Sequence, residues 1–315
     1  MKALTVSPSP HIHSGASTTR VMLDVVIALL PAAIAGVVIF GLKALWIILA
    51  CVCSAVLAEA LFNLCARKKQ TIGDLSAVVT GLILALNVST NVPIWQCVIG
   101  SVFAIIVVKC FFGGLGRNFA NPAATGRVFM LMAFTGTVAG GAMPVIGQSA
   151  ELVSGATPLA VMAQGTTEGL PSLLNMFLGV RGGAIGETCV LALLIGFAYL
   201  LIRKVIRWYA PVAFIVTVFV LTLIGSGFDF TFTLYQVMAG GLFIGAIFMA
   251  TDYVSTPVTN CGRVLFAIGC GIVTFIIRKF LGLPEGVSIS ILCMNLLVPF
   301  LDRISAKVPL GGSRK

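Results

Sequence analysis

Charged residues are scarce in this sequence of 315 residues. Asp, Glu, Lys and Arg together make up only 10% of the chain, whereas about 25% is usual in soluble domains. In contrast, 59% of the residues are hydrophobic, and the mean hydropathy is +1.10. This composition excludes a soluble globular protein. It predicts an all-α integral membrane protein, because helices satisfy their own backbone hydrogen bonds in lipid.

Motifs of soluble catalysis and of metal binding are also missing. No Walker loop, HExxH motif or Ser–His–Asp set is present, so no side chain is assigned as catalytic. The nine cysteines contain no pair of CxxC motifs, and we expect no iron–sulfur cluster or zinc site held by this chain alone. His11 and His13 lack a third ligand and are interpreted as solvated, with metal binding as the alternative. The first 20 residues have no hydrophobic stretch, so no cleavable signal peptide is predicted.

Ten apolar runs occupy most of the chain. Each is near the length that a helix needs to cross about 30 Å of hydrocarbon, so about ten transmembrane helices are predicted. Their expected limits are residues 21–41, 44–65, 72–90, 94–112, 122–140, 185–203, 209–226, 234–251, 263–281 and 286–302.

The twenty Lys and Arg residues are distributed unevenly between the two ends of these runs. If the N-terminus is cytoplasmic, sixteen of them, including Lys109 and Arg127, belong to cytoplasmic segments. Because positive charge accumulates in cytoplasmic loops, both termini are predicted to be cytoplasmic. The net charge of +10 is explained by this topology, and no nucleic-acid partner is expected. The four basic residues on the outer side are Lys43, Arg181, Arg278 and Lys279.

The long break between the fifth and sixth runs divides the ten spans into two halves of five. An odd number of spans makes the second half start at the opposite face, which is typical of inverted repeats with sites at the repeat interface. The expected organisation is a cytoplasmic polar leader (1–20), a membrane half (21–140), an outer loop (141–184), a second membrane half (185–303) and a basic cytoplasmic tail (304–315).

The outer loop contains the sequence Ser154-Gly155-Ala156-Thr157-Pro158. A threonine hydroxyl can accept a phosphodiester bond, the small residues before it leave space, and Pro158 restricts Thr157 to an extended conformation. A surface turn is the alternative interpretation, and the string alone favours it.

A second polar segment, Gly113–Pro122, joins the fourth and fifth spans. Its glycines, Arg117, Asn118 and Asn121 could cradle a polar ring or a phosphate. The two asparagines would share a face if this segment were helical. A tight turn with Asn and Pro caps is an equal alternative.

Two carboxylates are candidates for an ion path. Glu59 lies well inside the second span, and Asp252 follows the eighth span in a stretch rich in hydroxyls. An isolated charge at such depth is costly unless it is used or paired. Helix packing for Glu59 and helix capping for Asp252 are the alternatives.

Three segments together resemble the NqrB/RnfD family over nearly the whole chain: Ser154–Leu159 in an outer loop, Gly113–Pro122 before it, and Ala250-Thr251-Asp252 after it. The resemblance implies a covalent FMN on Thr157, with Ser154, Gly155 and Ala156 completing its motif. It also implies a non-covalent riboflavin near Asn118 and Asn121, beside Arg117.

The same resemblance implies a subunit of the Rnf complex in a bacterial or archaeal cell (inner) membrane. Such a subunit would work with subunits A, B, C, E and G to couple electron transfer between ferredoxin and NAD to movement of Na⁺ or H⁺. An inverted-repeat solute transporter or channel without a flavin is the first alternative, and a structural membrane scaffold is the second.

Overall fold

The computed structural model describes residues 17–145, 157–163, 169–281 and 286–306, which are helical with irregular connections. Two π-helical segments, Ala104–Cys110 and Gly245–Met249, continue α4 and α12, and a 3-10 turn covers Ile72–Asp74. The α-helices are α1 (Thr18–Phe40), α2 (Leu42–Cys65), α3 (Ser76–Leu86), α4 (Ile94–Phe103), α5 (Pro122–Ala133), α6 (Thr135–Val138), α7 (Pro158–Ala163), α8 (Leu173–Leu178), α9 (Val190–Ile202), α10 (Tyr209–Gly225), α11 (Phe230–Met238), α12 (Leu242–Ile244), α13 (Asn260–Phe280) and α14 (Val287–Ser305).

Side-chain caps define where several helices begin. Ser17, Asp229 and Thr259 each accept a backbone N–H from the first turn of the helix that follows. Asn121 caps α5 in the same way, and a proline occupies the first position of that helix. These are the residue types that satisfy the free N–H groups at a helix start. The polar residues between the apolar runs therefore set the helix limits.

Among the described helices, four are long and apolar enough to cross a membrane: α1, α2, α13 and α14. A fifth span is possible where α11 and the α12 segment, bent by 62°, are counted together. The helices α3, α4 with its π segment, α9 and α10 are apolar but shorter. The all-α membrane prediction is confirmed for the described residues, and the count of ten spans stays a prediction.

The two halves of the chain contact each other through equivalent helices. α1, the first helix of its half, packs against α9, the first of the other half. α5 packs against α14, and these helices correspond to the fifth and the tenth predicted spans. Within each half, α2 packs against α3 and α4, and α10 packs against α13. Contacts between helices at equivalent positions of the two halves are expected for two repeats related by a two-fold axis. The inverted repeat itself stays a prediction.

Glycine allows the closest of these helix contacts. A Cβ added at Gly196 of α9 would lie 2.2 Å from the carbonyl oxygen of Ala28 in α1. A Cβ at Gly81 of α3 would lie 2.8 Å from the carbonyl oxygen of Cys51 in α2. Small residues let helix backbones approach closely, which is how helices associate in lipid. These two contacts bring α9 close to α1 and α3 close to α2.

Two of the basic residues counted on the cytoplasmic side lie buried inside helices, within the predicted spans 94–112 and 122–140. Lys109 belongs to the π-helical segment Ala104–Cys110 and Arg127 to α5. Their exposed fractions are 2% and 3%. Arg127 Nη1 reaches the carbonyl oxygen of Val138, towards the opposite end of α5. Each of these side chains has partners in the protein interior that the sequence does not reveal, and the cytoplasmic orientation stays a prediction.

The packing at Gly196 can be tested by a single added methyl group. Gly196→Ala should lower the unfolding temperature of the purified protein in detergent, because overpacking against a backbone oxygen costs about 1–3 kcal/mol. Gly136→Ala is the matched control, since a Cβ at this helical glycine of α6 would meet nothing within 4 Å. Equal unfolding temperatures for the two variants would contradict the close α1–α9 contact.

Candidate functional site

Thr157 is the residue immediately before α7, and it is half-buried. Its Oγ1 accepts a hydrogen bond of 3.3 Å from the backbone N–H of Ala160. Among the described residues, its hydroxyl hydrogen has no acceptor. Replacing that hydrogen with a phosphoryl group would break no hydrogen bond seen here. The other residues of the predicted motif, Ser154, Gly155 and Ala156, lie outside the described residues.

The wall beside Thr157 consists of backbone from two loops. Ala142 and Gly183 exchange N–H···O bonds of 3.1 Å in an isolated bridge. A Cβ at Gly141 would lie 2.4 Å from Cγ2 of Thr157. Any larger residue at position 141 would therefore displace Thr157. The bridge and this glycine place the threonine against the two ends of the outer loop, next to residues 141–142 and 183.

α7 packs on the break between α11 and α12. Cδ1 of Leu159 lies 2.5 Å from where a Cβ of Gly240 would be, so only glycine fits at this point. Leu159 and Met162 form a buried cluster with Met176 and Ala239. Thr157 is thus held by a short helix that is anchored against a discontinuous membrane helix.

Glu187 is a buried acid at this end of the molecule that sequence reasoning missed. Its Oε1 accepts a 3.1 Å bond from the N–H of Ala184. Its Oε2 and Asn87 Oδ1 each lie 3.5 Å from the Cβ position of Gly241. A carboxylate at the start of the apolar run 185–203 was the signal available in the sequence.

Arg181 lies beside this acid with an exposed fraction of only 1%. It donates to the carbonyl oxygens of Glu187 at 2.8 Å and Thr188 at 3.3 Å. Burial lowers the pKa of Arg181 to about 10, with the charge of Glu187 acting in the opposite direction. The guanidinium therefore stays charged at neutral pH and fixes the loop that leads into α9.

A second polar region lies at the other end of α5. Asn118, Asn121 and Asp252 line one narrow cavity of about 80 Å³, together with Ser76 and Lys109. Residues from both halves of the chain therefore meet here, and the predicted site residues Asn118, Asn121 and Asp252 are among them.

Of the two alternatives for the segment Gly113–Pro122, the structure has the turn with an Asn cap, because the residues before α5 are not helical. Asn121 instead caps α5 and donates from Nδ2 to the carbonyl oxygen of Met249 at 3.1 Å. Asn118 Nδ2 donates to the carbonyl oxygen of Ala120 at 3.0 Å. Arg117 is exposed and folds over Gly113, and it does not line the cavity.

The fit of a riboflavin at this region is therefore poor in the conformation described. Among the described contacts, Oδ1 and one N–H of Asn118 and one N–H of Asn121 remain for a ligand. Pockets for organic ligands usually measure about 300–1,000 Å³, and this cavity measures about 80 Å³. The space suits a few water molecules or a cation better than a three-ring cofactor.

Asp252 follows the π-helical segment and organises the turn after it. Oδ2 accepts a 2.8 Å bond from Ser255 Oγ, and Oδ1 accepts a 3.3 Å bond from the N–H of Val254. Burial raises the pKa of the Asp252 carboxyl, while these hydrogen bonds lower it by less. These bonds hold a turn and do not cap a helix, since α13 begins only at Asn260 with Thr259 as its cap, and the same carboxyl also faces the cavity.

Glu59 is paired, so the premise of an isolated charge is wrong. Its two carboxylate oxygens each lie 2.9 Å from Nζ of Lys109, and both side chains are 2% exposed. Thr71 Oγ1 donates to Glu59 at 2.6 Å. Lys109 also donates to Ser76 Oγ, which in turn donates to Asp74. Lys109 sits in a π-helical segment, a feature that often marks functional positions in helices.

These features define a multi-pass helical membrane protein with interrupted helices and two buried polar regions, one beside Thr157 and one beside Asp252. The sequence profile of the NQR2, RnfD, RnfE family matches residues 5–311. The chain belongs to this family, and the resemblance inferred from its motifs is confirmed.

Several relatives cover most of the chain. The chain is 46% identical over 306 residues to the D subunit of the Na⁺-translocating ferredoxin:NAD⁺ oxidoreductase complex of Acetobacterium woodii, covering 96% of this chain and 93% of that protein. It is 39% identical to the D subunit of the proton-translocating ferredoxin:NAD⁺ oxidoreductase complex of Clostridium ljungdahlii, covering 98% and 97%. It is 36% identical to the D subunit of the ion-translocating oxidoreductase complex of Stutzerimonas stutzeri, covering 91% and 90%.

The buried ion pair of Glu59 and Lys109 predicts a double-mutant cycle. Lys109→Met should destabilise the protein by about 3–5 kcal/mol, because it leaves a buried carboxylate without its cation. The double variant Glu59→Gln/Lys109→Met should be closer to the parent, because it removes both charges. The cycle is measured by thermal unfolding of Glu59→Gln, Lys109→Met and the double variant beside the parent protein in one detergent. Purely additive losses would contradict the pairing.

Proposed function

We propose that this chain is the membrane-embedded D subunit of an ion-translocating oxidoreductase complex of the Rnf type. In this role it carries FMN on Thr157 and takes part in electron transfer between ferredoxin and NAD, coupled to movement of Na⁺ or H⁺. The functions for which its relatives are named support this proposal. The other Rnf subunits, A, B, C, E and G, are its proposed partners, in a cell membrane with both termini on the cytoplasmic side.

The observation that carries the flavin proposal is the position of Thr157. Its hydroxyl precedes a helix packed on the membrane half, and the hydroxyl hydrogen is unused among the described residues. Because Gly141 has no side chain, the backbone beside Thr157 leaves room for the Thr157 side chain. A bound flavin supplies the redox chemistry, and the protein positions it and tunes its potential. Thr157 Oγ1 would anchor the phosphate, and α7 would fix the direction in which the cofactor extends.

The cation path is proposed to pass the cavity beside Asp252. This carboxyl and the Glu59–Lys109 pair lie at the same end of the molecule, and Ser76 and Lys109 line the cavity together with Asp252. A raised pKa at Asp252 favours proton uptake, and its oxygens also suit Na⁺. Relatives at 46% and 39% identity are named for different cations, so the choice of cation is left to measurement.

Riboflavin at Asn118 and Asn121 stays a prediction of the family resemblance. It requires the cavity to widen, because the two asparagines already hold the turns around Ala120 and Met249. No step of the proposed function depends on it.

The ion path can be tested in sealed vesicles that contain the whole complex. Asp252→Asn and Glu59→Gln should each reduce the number of cations moved per electron, because they remove a titratable carboxyl from the proposed path. Asp24→Asn is the matched control: this buried acid pairs with Arg203 and does not line the cavity. Unchanged cation-to-electron ratios for both Asp252→Asn and Glu59→Gln would refute the path.

The attachment of flavin is tested on a denaturing gel under ultraviolet light, with the chain expressed beside a competent flavin transferase. The parent and Ser154→Ala chains should fluoresce, and Thr157→Ala should be dark. A fluorescent Thr157→Ala chain whose tryptic peptide still carries the FMN mass would place the bond elsewhere. A dark parent chain would favour a transporter without flavin, for which the interrupted helices and buried acids are also suitable.

A further inference from the structure

A small pocket with two arginines lies where the loop between α9 and α10 meets the start of α13. It measures about 30 Å³, and Arg207 and Arg263 line it together with Tyr209 and Tyr253. A space of this size admits one or two groups as large as a water molecule. None of the residues assigned above to a cofactor or to the cation path lines this pocket.

Both guanidinium groups are held in place but keep most of their donors. Arg207 Nη1 donates to Oδ1 of Asn260 at 2.9 Å, and Arg263 Nε donates to the carbonyl oxygen of Pro257 at 2.9 Å. An arginine has five N–H groups, so four on each side chain remain for a ligand among the described contacts. Neither arginine pairs with a carboxylate in the part of the chain that the structure describes, and the described lining residues include no Asp or Glu. Two such cations beside one pocket repel each other, and an anion between them would remove that repulsion.

We propose that this pocket binds the phosphate of an anionic phospholipid whose acyl chains lie along α10. The N–H groups of arginine fit phosphate oxygens two at a time, and basic pockets between membrane helices on the cytoplasmic side bind lipid headgroups. The small volume suits the oxygen atoms of a phosphate, while the rest of the headgroup stays in water. This inference depends neither on the flavin nor on the direction of electron transfer.

The residues around the pocket are typical of the headgroup layer of a membrane. Trp208 follows Arg207 directly and is 62% exposed. The exposed Ile202 ends α9, and Arg203 and Lys204 come next. Tryptophan, tyrosine and basic residues concentrate where the hydrocarbon of a membrane meets water. The pocket therefore lies at the depth at which lipid phosphates are found.

α10 provides an apolar surface that continues from the pocket. Tyr209 lines the pocket, and Val212 and Val216 are exposed further along the same helix. Residues three and seven positions apart lie on one side of a helix. A lipid whose phosphate contacts the two arginines can thus place an acyl chain against these valines.

An acidic segment of another protein is the competing occupant, because it could also pair with two arginines. The exposed Trp208 and the exposed valines of α10 favour the lipid. An acidic segment bound at the pocket would need no apolar surface that extends towards the hydrocarbon, whereas a phospholipid has both a phosphate and acyl chains.

A bound phosphate would join the loop after α9 to the turn that contains Asp252. Tyr253, the residue after this acid, donates from its hydroxyl to the carbonyl oxygen of Val205 in that loop. Thr251, the residue before it, lines the pocket. One phosphate held by both arginines would add a second connection between the same two segments.

The test uses the purified full chain with Trp46→Phe and Trp95→Phe, which leaves Trp208 of the three tryptophans in the sequence. The chain is reconstituted into vesicles of equal parts phosphatidylcholine and phosphatidylglycerol, in which only one of the two lipids carries bromine on its acyl chains. Bromine quenches tryptophan fluorescence on contact. The ratio of quenching by the two brominated lipids therefore measures the local preference for the anionic lipid.

Arg207→Gln and Arg263→Gln are compared with the control Lys69→Gln, which removes an exposed lysine outside the pocket. The parent should prefer phosphatidylglycerol. Each arginine variant should lower this preference by about fivefold, since one basic residue near the membrane surface contributes about 1 kcal/mol of attraction to anionic lipid. Lys69→Gln should match the parent.

Equal quenching by the two lipids in the parent would overturn the proposal, and so would a parent-like preference in both arginine variants. Loss of the preference when inorganic phosphate is added at constant ionic strength would assign the pocket to a free anion instead of a lipid.

The whole complex provides the second measurement. After exchange into detergent, mass spectrometry of the extracted lipid should find more phosphatidylglycerol per complex in the parent than in the double variant Arg207→Gln/Arg263→Gln. Equal retention would show that a segment of another subunit, not a lipid, covers the arginines in the assembly, and it would overturn the proposal.

Discussion

Backbone groups exposed by broken helices must find partners inside the protein, because lipid offers none. At the break between α11 and α12 this requirement is met by Arg278, whose Nη1 and Nη2 donate to the carbonyl oxygens of Gln236 at 2.7 Å and Ala239 at 3.2 Å. After α3, the carbonyl oxygen of Leu86 accepts from Gly186, and that of Val88 accepts from Ile185. These contacts let the chain leave helical geometry inside the membrane half. The region around Thr157 is built on the backbone that they stabilise.

One short element connects the two polar regions. The α12 segment with its π-helical continuation, Leu242–Met249, begins next to Gly240, where α7 packs, and ends three residues before Asp252. Its last residue accepts a hydrogen bond from Asn121 and contacts Nδ2 of Asn87 through its sulfur. A displacement of this segment would therefore change contacts both near α7, beside Thr157, and near Asn121, beside the cavity that contains Asp252.

The buried charges show how stability and function are combined. A lysine and a glutamate taken out of water are costly, and their pairing with each other and with hydroxyls compensates that cost only when the geometry is good. Glu59 and Lys109 meet this condition with two contacts of 2.9 Å and a further bond from Thr71. The pair lies next to the cavity that contains Asp252, so the charge network that stabilises α2 and α4 also sets the electrostatics of the proposed path.

The sequence by itself determined the class of protein, the approximate limits of the helices, the family and the threonine that precedes α7. Hydropathy, Gly and Pro placement and a short motif are local properties, so they can be read along the chain without knowing which segments meet. The tertiary structure decided the pairing of Glu59 with Lys109, which are 50 residues apart, and the burial of Arg127 and Glu187. It also decided that Asn121 both caps α5 and donates a hydrogen bond to the carbonyl oxygen of Met249. A cavity beyond α7 is likewise formed only by the packing of distant segments. These features depend on side chains from distant segments sharing one space, and helix packing alone brings those segments together.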